Sequence, residues 1–172
     1  MNFTQKISRF ISGAAIQVLT LALFLGVFGA GVALAQTKAY VTNTDDDTVS
    51  VIDTATNTVV ATIPVGSPRG IAVTPNGAVA YVTSAGSNNV SVIDTASNTV
   101  TTTVPMGSSA FGIAVTPSGT FAYATNTGTD LVSVIDTATN TVVATIPVAP
   151  APTSIAFTPN GAFAYVSSAA PC

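Results

Sequence analysis

The sequence contains no histidine, no tryptophan and no glutamate, and its single cysteine, Cys172, is the last residue. General acid–base catalysis is therefore left to Asp, Tyr and Lys side chains. Neither a Cys/His metal site nor an internal disulfide can form. No nucleophile elbow and no glycine-rich phosphate loop is present. We predict that the protein is not an enzyme and that it holds no cofactor.

Basic residues are scarce as well. Beyond residue 35 only Lys38 and Arg69 stand against seven aspartates, which gives residues 36–172 a net charge of −5. Nucleic-acid binders neutralise phosphates with many Lys and Arg side chains, and anionic lipid surfaces attract polybasic clusters. We therefore expect neither nucleic acid nor, in the mature domain, a membrane as partner.

The first 35 residues have the composition of a signal peptide. Lys6 and Arg9 precede an apolar run from residue 11 to residue 35, which closes with a small-x-small pattern before Gln36. We assign 1–35 to the signal peptide and 36–172 to the mature domain. We expect export to the periplasm, the cell surface or the medium. A retained membrane anchor is the alternative, because roughly 20 apolar residues can span a bilayer.

The mature domain is an internal repeat. Residues 49–65 and 132–148 are identical, and residues 90–106 match them at twelve of seventeen positions. The tyrosines that precede these segments are spaced by 41, 42 and 42 residues: Tyr40, Tyr81, Tyr123 and Tyr165. A constant period of this length indicates one supersecondary unit copied in tandem. The repeats run over 40–80, 81–122 and 123–164.

One period predicts four short strands. Residues 70–74, 78–84, 89–95 and 99–106 are rich in Val, Ile and Thr, and turn-forming residues separate them. Pro105 favours an edge position for the fourth strand, because proline cannot donate to a ladder. Four strands in about 42 residues are typical of a β-propeller blade. A β-sandwich is the alternative fold.

The motifs carry a family resemblance. The segments Tyr40-Val41-Thr42-Asn43, Tyr81-Val82-Thr83-Ser84 and Tyr123-Ala124-Thr125-Asn126, each followed by VSVIDT, resemble the YVTN-type β-propeller repeat, as do the GIAVT-type segments that begin at residues 70, 112 and 154. The resemblance implies a seven-bladed, exported or cell-surface propeller of bacteria or archaea. It also implies a fold similar to quinoprotein amine dehydrogenase subunits and to some periplasmic binding proteins.

The number of blades is too small for a closed ring. Residues 39–65 supply three strands, 70–106 and 112–148 supply four each, and 154–168 supply two. Closed propellers need four to eight blades. Three explanations stay open: a fragment of a longer protein, an open curved array, and a homo-oligomer in which residues 154–158 complete the three-stranded blade of a neighbour.

The sequence contains two sets of aspartates, one that we interpret as turn caps and one that we consider as metal ligands. Asp53, Asp94 and Asp136 share one repeat position before a turn, which favours Asx-type caps over a ring of cation ligands. Asp45, Asp46 and Asp47 have no equivalent cluster in the other repeats, and adjacent carboxylates can bind a hard cation such as Ca²⁺. They lack the Asp-x-Asp-x-Asp-Gly spacing of a calcium loop, so we expect a solvated polar turn, assign no metal site and keep these three as the metal candidates.

Arg69 is the candidate for ligand binding. It lies in a loop between two predicted blades, where residues 150–152 of the third copy carry no charge. We predict that the four tyrosines pack between blades.

We predict further a non-catalytic exported propeller that acts as a binding or scaffold module for a protein or glycan. The alternatives are a ligand-binding propeller for glycan, peptide or single-stranded nucleic acid, and a quinoprotein-like or lyase-like enzyme, which the missing histidines disfavour.

Overall fold

The structure is a computed structural model that describes residues 38–169. The predicted signal peptide and Cys172 lie outside the described residues. Within them every element is a strand, and no helix is long and apolar enough to cross a membrane.

Thirteen strands form four antiparallel sheets. The first sheet contains β1 (Lys38–Asn43), β2 (Thr48–Asp53) and β3 (Thr58–Pro64). The second contains β4 (Pro68–Val73), β5 (Val79–Ser84), β6 (Asn89–Asp94) and β7 (Thr99–Pro105). The third contains β8 (Ala110–Val115), β9 (Phe121–Asn126), β10 (Leu131–Asp136) and β11 (Thr141–Pro147). The fourth contains β12 (Pro152–Phe157) and β13 (Ala164–Ser168).

The sheets are the blades of a partial β-propeller, which confirms the predicted all-β fold. Neighbouring strands in each sheet are consecutive in the sequence, and the order β4-β5-β6-β7 recurs as β8-β9-β10-β11. We call β4, β8 and β12 the inner strands, because they pack side by side from blade to blade. The second, third and outer strands follow each inner strand in sheet order, so that β1, β2 and β3, whose sheet has no inner strand within residues 38–169, are the second, third and outer strands of the first blade. Pro105 lies in the outer strand β7, where its missing N–H costs no ladder bond.

Turn residues end the strands as the sequence predicts. The turns between the third and outer strands place Asn57, Asn98 and Asn140 at positive φ, between 54° and 55°. The turns after the inner strands place glycine there, as at Gly77 with φ of 72°. These are residue types that adopt the left-handed region at low cost. The inner strand β4 ends at Val73, one residue before the predicted end, because Thr74 already bonds to Asn76 within the turn.

The core lies between blades. At both boundaries between the first three blades, valines of the third strand of one blade meet an isoleucine of the third strand of the next. Val49 and Val51 of the first blade thus meet Ile93 of the second in one cluster. Val90 and Val92 of the second meet Ile135 of the third in another cluster. Burying one such side chain stabilises the fold by about 1.5–3 kcal/mol.

Candidate binding groove

Hydroxyl groups of the second strands fix the inner strands against one another. The Thr42 hydroxyl donates to the carbonyl oxygen of Arg69 at 2.9 Å, and the Thr83 hydroxyl donates to that of Phe111 at 2.6 Å. The Gly70 N–H donates in turn to Thr83 Oγ1 at 2.7 Å. Thr42 and Thr83 therefore link their own blades to the inner strand of the next, whereas the Thr125 hydroxyl donates to the Gly112 carbonyl oxygen of its own blade at 3.4 Å.

Glycine allows the inner strands to approach closely. A Cβ on Gly70 would lie 2.7 Å from the Phe111 carbonyl oxygen, and a Cβ on Gly112 would lie 2.5 Å from that of Thr153. Both distances are shorter than real Cβ contacts, so a side chain at either position would push the strands apart. The third equivalent residue is Ser154, which is exposed, with no further inner strand against it within residues 38–169.

The three inner strands form an open groove of about 510 Å³. The residues that precede the glycine position differ in every blade, and all three line the groove: Arg69, Phe111 and Thr153. The guanidinium carbon of Arg69 lies 5.4 Å from the centre of the Phe111 ring, within the range of a cation–π contact. Hydroxyls of Thr44 and Ser154 complete the polar part of the lining.

The groove carries an uncompensated positive charge. Lys38 and Arg69 are the two basic residues of the described range, and Lys38 Nζ donates to the Thr95 carbonyl oxygen at 2.8 Å, away from the groove. Arg69 is exposed, and no carboxylate lines the groove. The arrangement can attract an anion and hold it beside an aromatic ring, but the lining contains no His, Asp or Glu to act as a general base.

The structure places Asp45, Asp46 and Asp47 in the loop between β1 and β2. Asp47 has a positive φ of 54°, and its Oδ1 accepts the Ser67 N–H at 2.6 Å. Asp130 of the third blade accepts the Ala151 N–H at 2.9 Å in the same way. Within the described range no three His, Cys, Asp or Glu side chains are grouped to hold a metal ion. Asp47 thus ties two loops together in the structure.

Asp53, Asp94 and Asp136 cap turns. Asp53 Oδ1 accepts the Ala55 N–H at 2.7 Å, and Asp136 Oδ1 accepts the Ala138 N–H at 2.9 Å. The backbone and hydroxyl of Ser97 donate to Asp94 and lower the pKa of that carboxyl group. The N–H groups of Thr139 and Ala138 lower the pKa of Asp136. The prediction of Asx-type caps is confirmed.

The tyrosines occupy one repeat position in different surroundings. Tyr81 is buried, and its hydroxyl donates to Asn140 Oδ1 of the next blade at 2.8 Å. Burial, followed by the charge of Asp136, raises the pKa of Tyr81. The Tyr123 ring packs edge-on against Phe157, with centroids 5.0 Å apart. Tyr165, by contrast, is 68% exposed, because residues 38–169 provide no blade to cover it.

A second cavity of about 270 Å³ lies on the opposite side of the blades, at the turns that follow the inner strands. Pro75, Asn76 and Tyr81 of the second blade face Gly119 and Thr137 of the third. A Cβ on Gly119 would lie 3.3 Å from Pro75 Cδ. This cavity carries no charged side chain, so it offers less for recognition than the groove.

Arg69 is the one sequence candidate that the structure places in the groove. Phe111, Thr153 and Ser154 were not singled out from the sequence. Their signal was present, however: alignment on the GIAVT-type segments shows Arg, Phe and Thr at one position of an otherwise uniform repeat. The sequence alone does not show that this position faces a groove, because the groove forms only where the inner strands of different blades lie side by side.

Comparisons with known proteins identify the kind of fold. Residues 32–169 match the family described as "Lactonase, 7-bladed beta-propeller". Of 846 chains of solved structures that match, one is hydrazine synthase of Kuenenia stuttgartiensis, with 30% identity and a TM-score of 0.70 over 72% of this chain and 36% of that one. The chain thus spans about a third of that structure. No curated protein matches the sequence. These matches support a β-propeller but do not confirm the YVTN-type repeat.

Proposed function

This chain belongs to the family described as "Lactonase, 7-bladed beta-propeller", and on this propeller frame we propose that it is a non-catalytic binding module whose ligand site is the groove between its inner strands. The observation that carries the proposal is the break in repeat symmetry at Arg69, Phe111 and Thr153. A repeat builds a frame, and specific recognition depends on the positions where the copies differ. Here those positions lie together at one surface.

The chemistry of the groove favours an acidic glycan as the ligand. A guanidinium group binds a carboxylate through two parallel hydrogen bonds. An aromatic ring such as that of Phe111 offers an apolar face to a sugar ring, while the hydroxyls of Thr44, Thr153 and Ser154 suit sugar hydroxyls. The net negative charge of the rest of the domain disfavours long polyanions, which supports a short segment of uronic acid over nucleic acid.

Calorimetric titration with oligogalacturonate tests the proposal, with a neutral galacto-oligosaccharide of equal length as the comparison. We expect binding of the acidic oligomer alone, weakened about tenfold or more in Arg69→Gln, because a charge-assisted hydrogen bond contributes about 1.5–3 kcal/mol. Lys38→Gln removes the same charge outside the groove and is the matched control. Equal affinities of the Arg69→Gln and Lys38→Gln variants, or equal binding of both oligomers, would contradict the proposal.

Export is the second part of this proposal. It is supported by the N-terminal segment, in which two basic residues, Lys6 and Arg9, precede an apolar run that closes with Ala33-Leu34-Ala35. Cell fractionation followed by intact-mass measurement should find a protein that begins at Gln36 outside the cytoplasm. A cytoplasmic protein that retains residues 1–35 would contradict it.

The family match favours one further candidate, hydrolysis of a lactone. Ring opening of a lactone by water needs a base to activate the water, and the groove lining contains neither a carboxylate nor an imidazole. We therefore expect no acid release from a δ-lactone above the uncatalysed rate in a pH-stat. Saturable acid release that is lost in Arg69→Gln would show that the protein is an enzyme and would contradict the non-catalytic proposal.

A further inference from the structure

The second cavity lies where one copy of the repeat carries a smaller side chain than the copies that follow. Val79 of β5 lines the cavity and packs against the core between the second and third blades. The same repeat position is Phe121 in β9 and Phe163 immediately before β13. Because a small residue in place of a large one leaves space unless the surroundings collapse, Val79 leaves room at this boundary for an aromatic ring.

A second departure from the repeat adds space on the other side of the cavity. Ser118, in the turn after β8, lines the cavity at the position that Asn76 and Asn160 hold in the other two copies of this turn. The side chain of serine is smaller than that of asparagine. Two positions at which the copies differ thus meet in one cavity, as they do in the groove, and both differences leave space in it.

The cavity is open to solvent at one end and buried at the other. Asn76 and Ser118 are exposed at its mouth, whereas Thr74 and Tyr81 are 8% and 1% exposed at its inner end. Its volume of about 270 Å³ is just below the range of about 300–1,000 Å³ that is usual for sites of drug-sized ligands. The cavity therefore suits a molecule of one ring that enters from solvent.

A backbone carbonyl group in the lining is left without the donor that its equivalent has. At the boundary between the first and second blades, Lys38 Nζ donates to the Thr95 carbonyl oxygen at 2.8 Å. One period later, Val79 holds the position of Lys38, and Thr137, which lines the cavity, holds the position of Thr95. A valine side chain has no proton to donate to the Thr137 carbonyl oxygen.

The Tyr81 hydroxyl does not replace the missing amine. It has a single proton, which it donates to Asn140 Oδ1 at 2.8 Å, and its oxygen lies at the longer distance of 3.4 Å from the Thr137 carbonyl oxygen. The Thr137 carbonyl oxygen can therefore accept a short hydrogen bond from a ligand in the cavity.

The charge near the cavity disfavours an anion. No charged side chain lines the cavity. Burial, and after it the charge of Asp136, raises the pKa of Tyr81 at the inner end. The same negative charge would repel a carboxylate ligand, so the occupant is a neutral molecule.

We propose that this cavity binds a small neutral phenol. The aromatic ring takes the space beside Val79 that a phenylalanine side chain takes in the following copies, and its burial removes apolar surface from water. The phenol hydroxyl donates to the Thr137 carbonyl oxygen, as the Lys38 amine donates to that of Thr95. The cavity and the groove lie on opposite sides of the blades and share no lining residue, so this inference does not depend on the proposed function.

Titration of the isotope-labelled protein with p-cresol, followed by NMR, tests the proposal. We expect saturable shifts of the amide signals of Val79, Gly119 and Thr137, which line the cavity. Anisole is an isomer of p-cresol with the same number of heavy atoms, but it has no hydroxyl proton. We therefore expect anisole to bind about two- to tenfold more weakly, which is the effect of one neutral hydrogen bond. Equal affinities for the two compounds would overturn the assignment to a phenol.

Val79→Phe restores the side chain of the following copies and should abolish binding of p-cresol, because its ring fills the cavity. Val60→Phe makes the same change at an exposed position of β3 and is the matched control, with unchanged affinity. Arg69→Gln should also bind p-cresol unchanged, because Arg69 lines the groove.

The amide spectrum of each variant shows whether it is folded. A folded Val79→Phe protein that binds p-cresol as tightly as the unmodified chain would overturn the proposal, as would saturable shifts confined to residues outside the cavity or no binding at all. If Val79→Phe does not fold, Val79→Leu decides, because leucine fills part of the same space and should weaken binding. An unchanged affinity of Val79→Leu would then overturn the proposal.

Discussion

Small residues at single positions set the distance between neighbouring inner strands. Gly70 and Gly112 leave room for a backbone carbonyl of the next blade, and Thr42 and Thr83 bond to carbonyls of the same strands. The steric and hydrogen-bonding requirements thus act on the same short stretch of backbone. Recognition by the groove depends on this spacing, because Arg69 and Phe111 are adjacent to these contacts.

Gly112→Ala should destabilise the fold by about 1–3 kcal/mol, as overpacking in a tight site does. The new Cβ would lie 2.5 Å from the Thr153 carbonyl oxygen, and a backbone atom cannot move away as a flexible side chain can. Gly66→Ala is the matched control, because no atom lies within 4 Å of its Cβ position. Urea unfolding measures both variants, and an equal stability of the two would contradict the steric argument.

The turn caps predict an acid-sensitive stability. Hydrogen bonds from turn N–H groups lower the pKa of Asp94 and Asp136 in the folded state. Their contribution to stability is present above the unfolded value of about 3.9 and is lost as the pH falls through the lower folded value. In D94N/D136N the free energy of unfolding should depend less on pH in this window. D45N/D46N removes the same two charges from exposed loop positions and shows how much the change of net charge alone contributes.

At the scale of the element, each strand is hydrogen-bonded to strands that are its neighbours in sequence. The apolar side chains of a blade, by contrast, are buried by packing against the next blade. The Tyr81 hydroxyl crosses a boundary to Asn140, and the third-strand valines of one blade pack against an isoleucine of the following one. The valine–isoleucine contact also occurs at the boundary between the first and second blades, whereas the hydrogen bond from Tyr81 to Asn140 has no counterpart between Tyr40 and Asn98. Repeat proteins of this type have stabilities that depend on nearest-neighbour interfaces.

Tyr81→Phe should cost about 1 kcal/mol, because the buried hydroxyl loses its bond to Asn140 Oδ1 and that oxygen loses its donor. The ring itself is retained, so packing is unchanged. Tyr165→Phe removes the same hydroxyl from an exposed ring and is expected to have no effect. Thermal unfolding that ranks the two variants in the reverse order would show that Tyr81 does not link the second and third blades.

Strands and turns were predictable from the sequence, because their signals are local. Val and Ile alternate with polar residues over the few positions that form one strand. The β6 strand was expected over residues 89–95 and spans Asn89–Asp94. The groove was not predictable, because Arg69 and Phe111 meet only when two inner strands lie side by side. The caps at Asp53 and Asp136 were predictable, since their partners lie two or three residues away.

At the scale of the whole molecule, the outermost sheets of the described range leave apolar side chains uncovered. Within residues 38–169, Ile146 and Val41 lie at opposite ends of the array, and each is exposed where its equivalents in other blades are buried. The outer edges of β1 and β13 are unpaired in the same range. An unpaired strand edge can add a further strand.

The uniform boundaries also bear on how such a gene can change length. If recombination between the identical segments at 49–65 and 132–148 removed the DNA between them, the first blade would continue directly into the last inner strand. If only one period were removed, Val49 would meet Ile135 in place of Ile93, and the two isoleucines follow the same Val-Ser-Val sequence. At that boundary Ala124 would replace the larger Val82. Loss of one blade would thus keep the valine–isoleucine contact and change a single neighbouring side chain in the second strand.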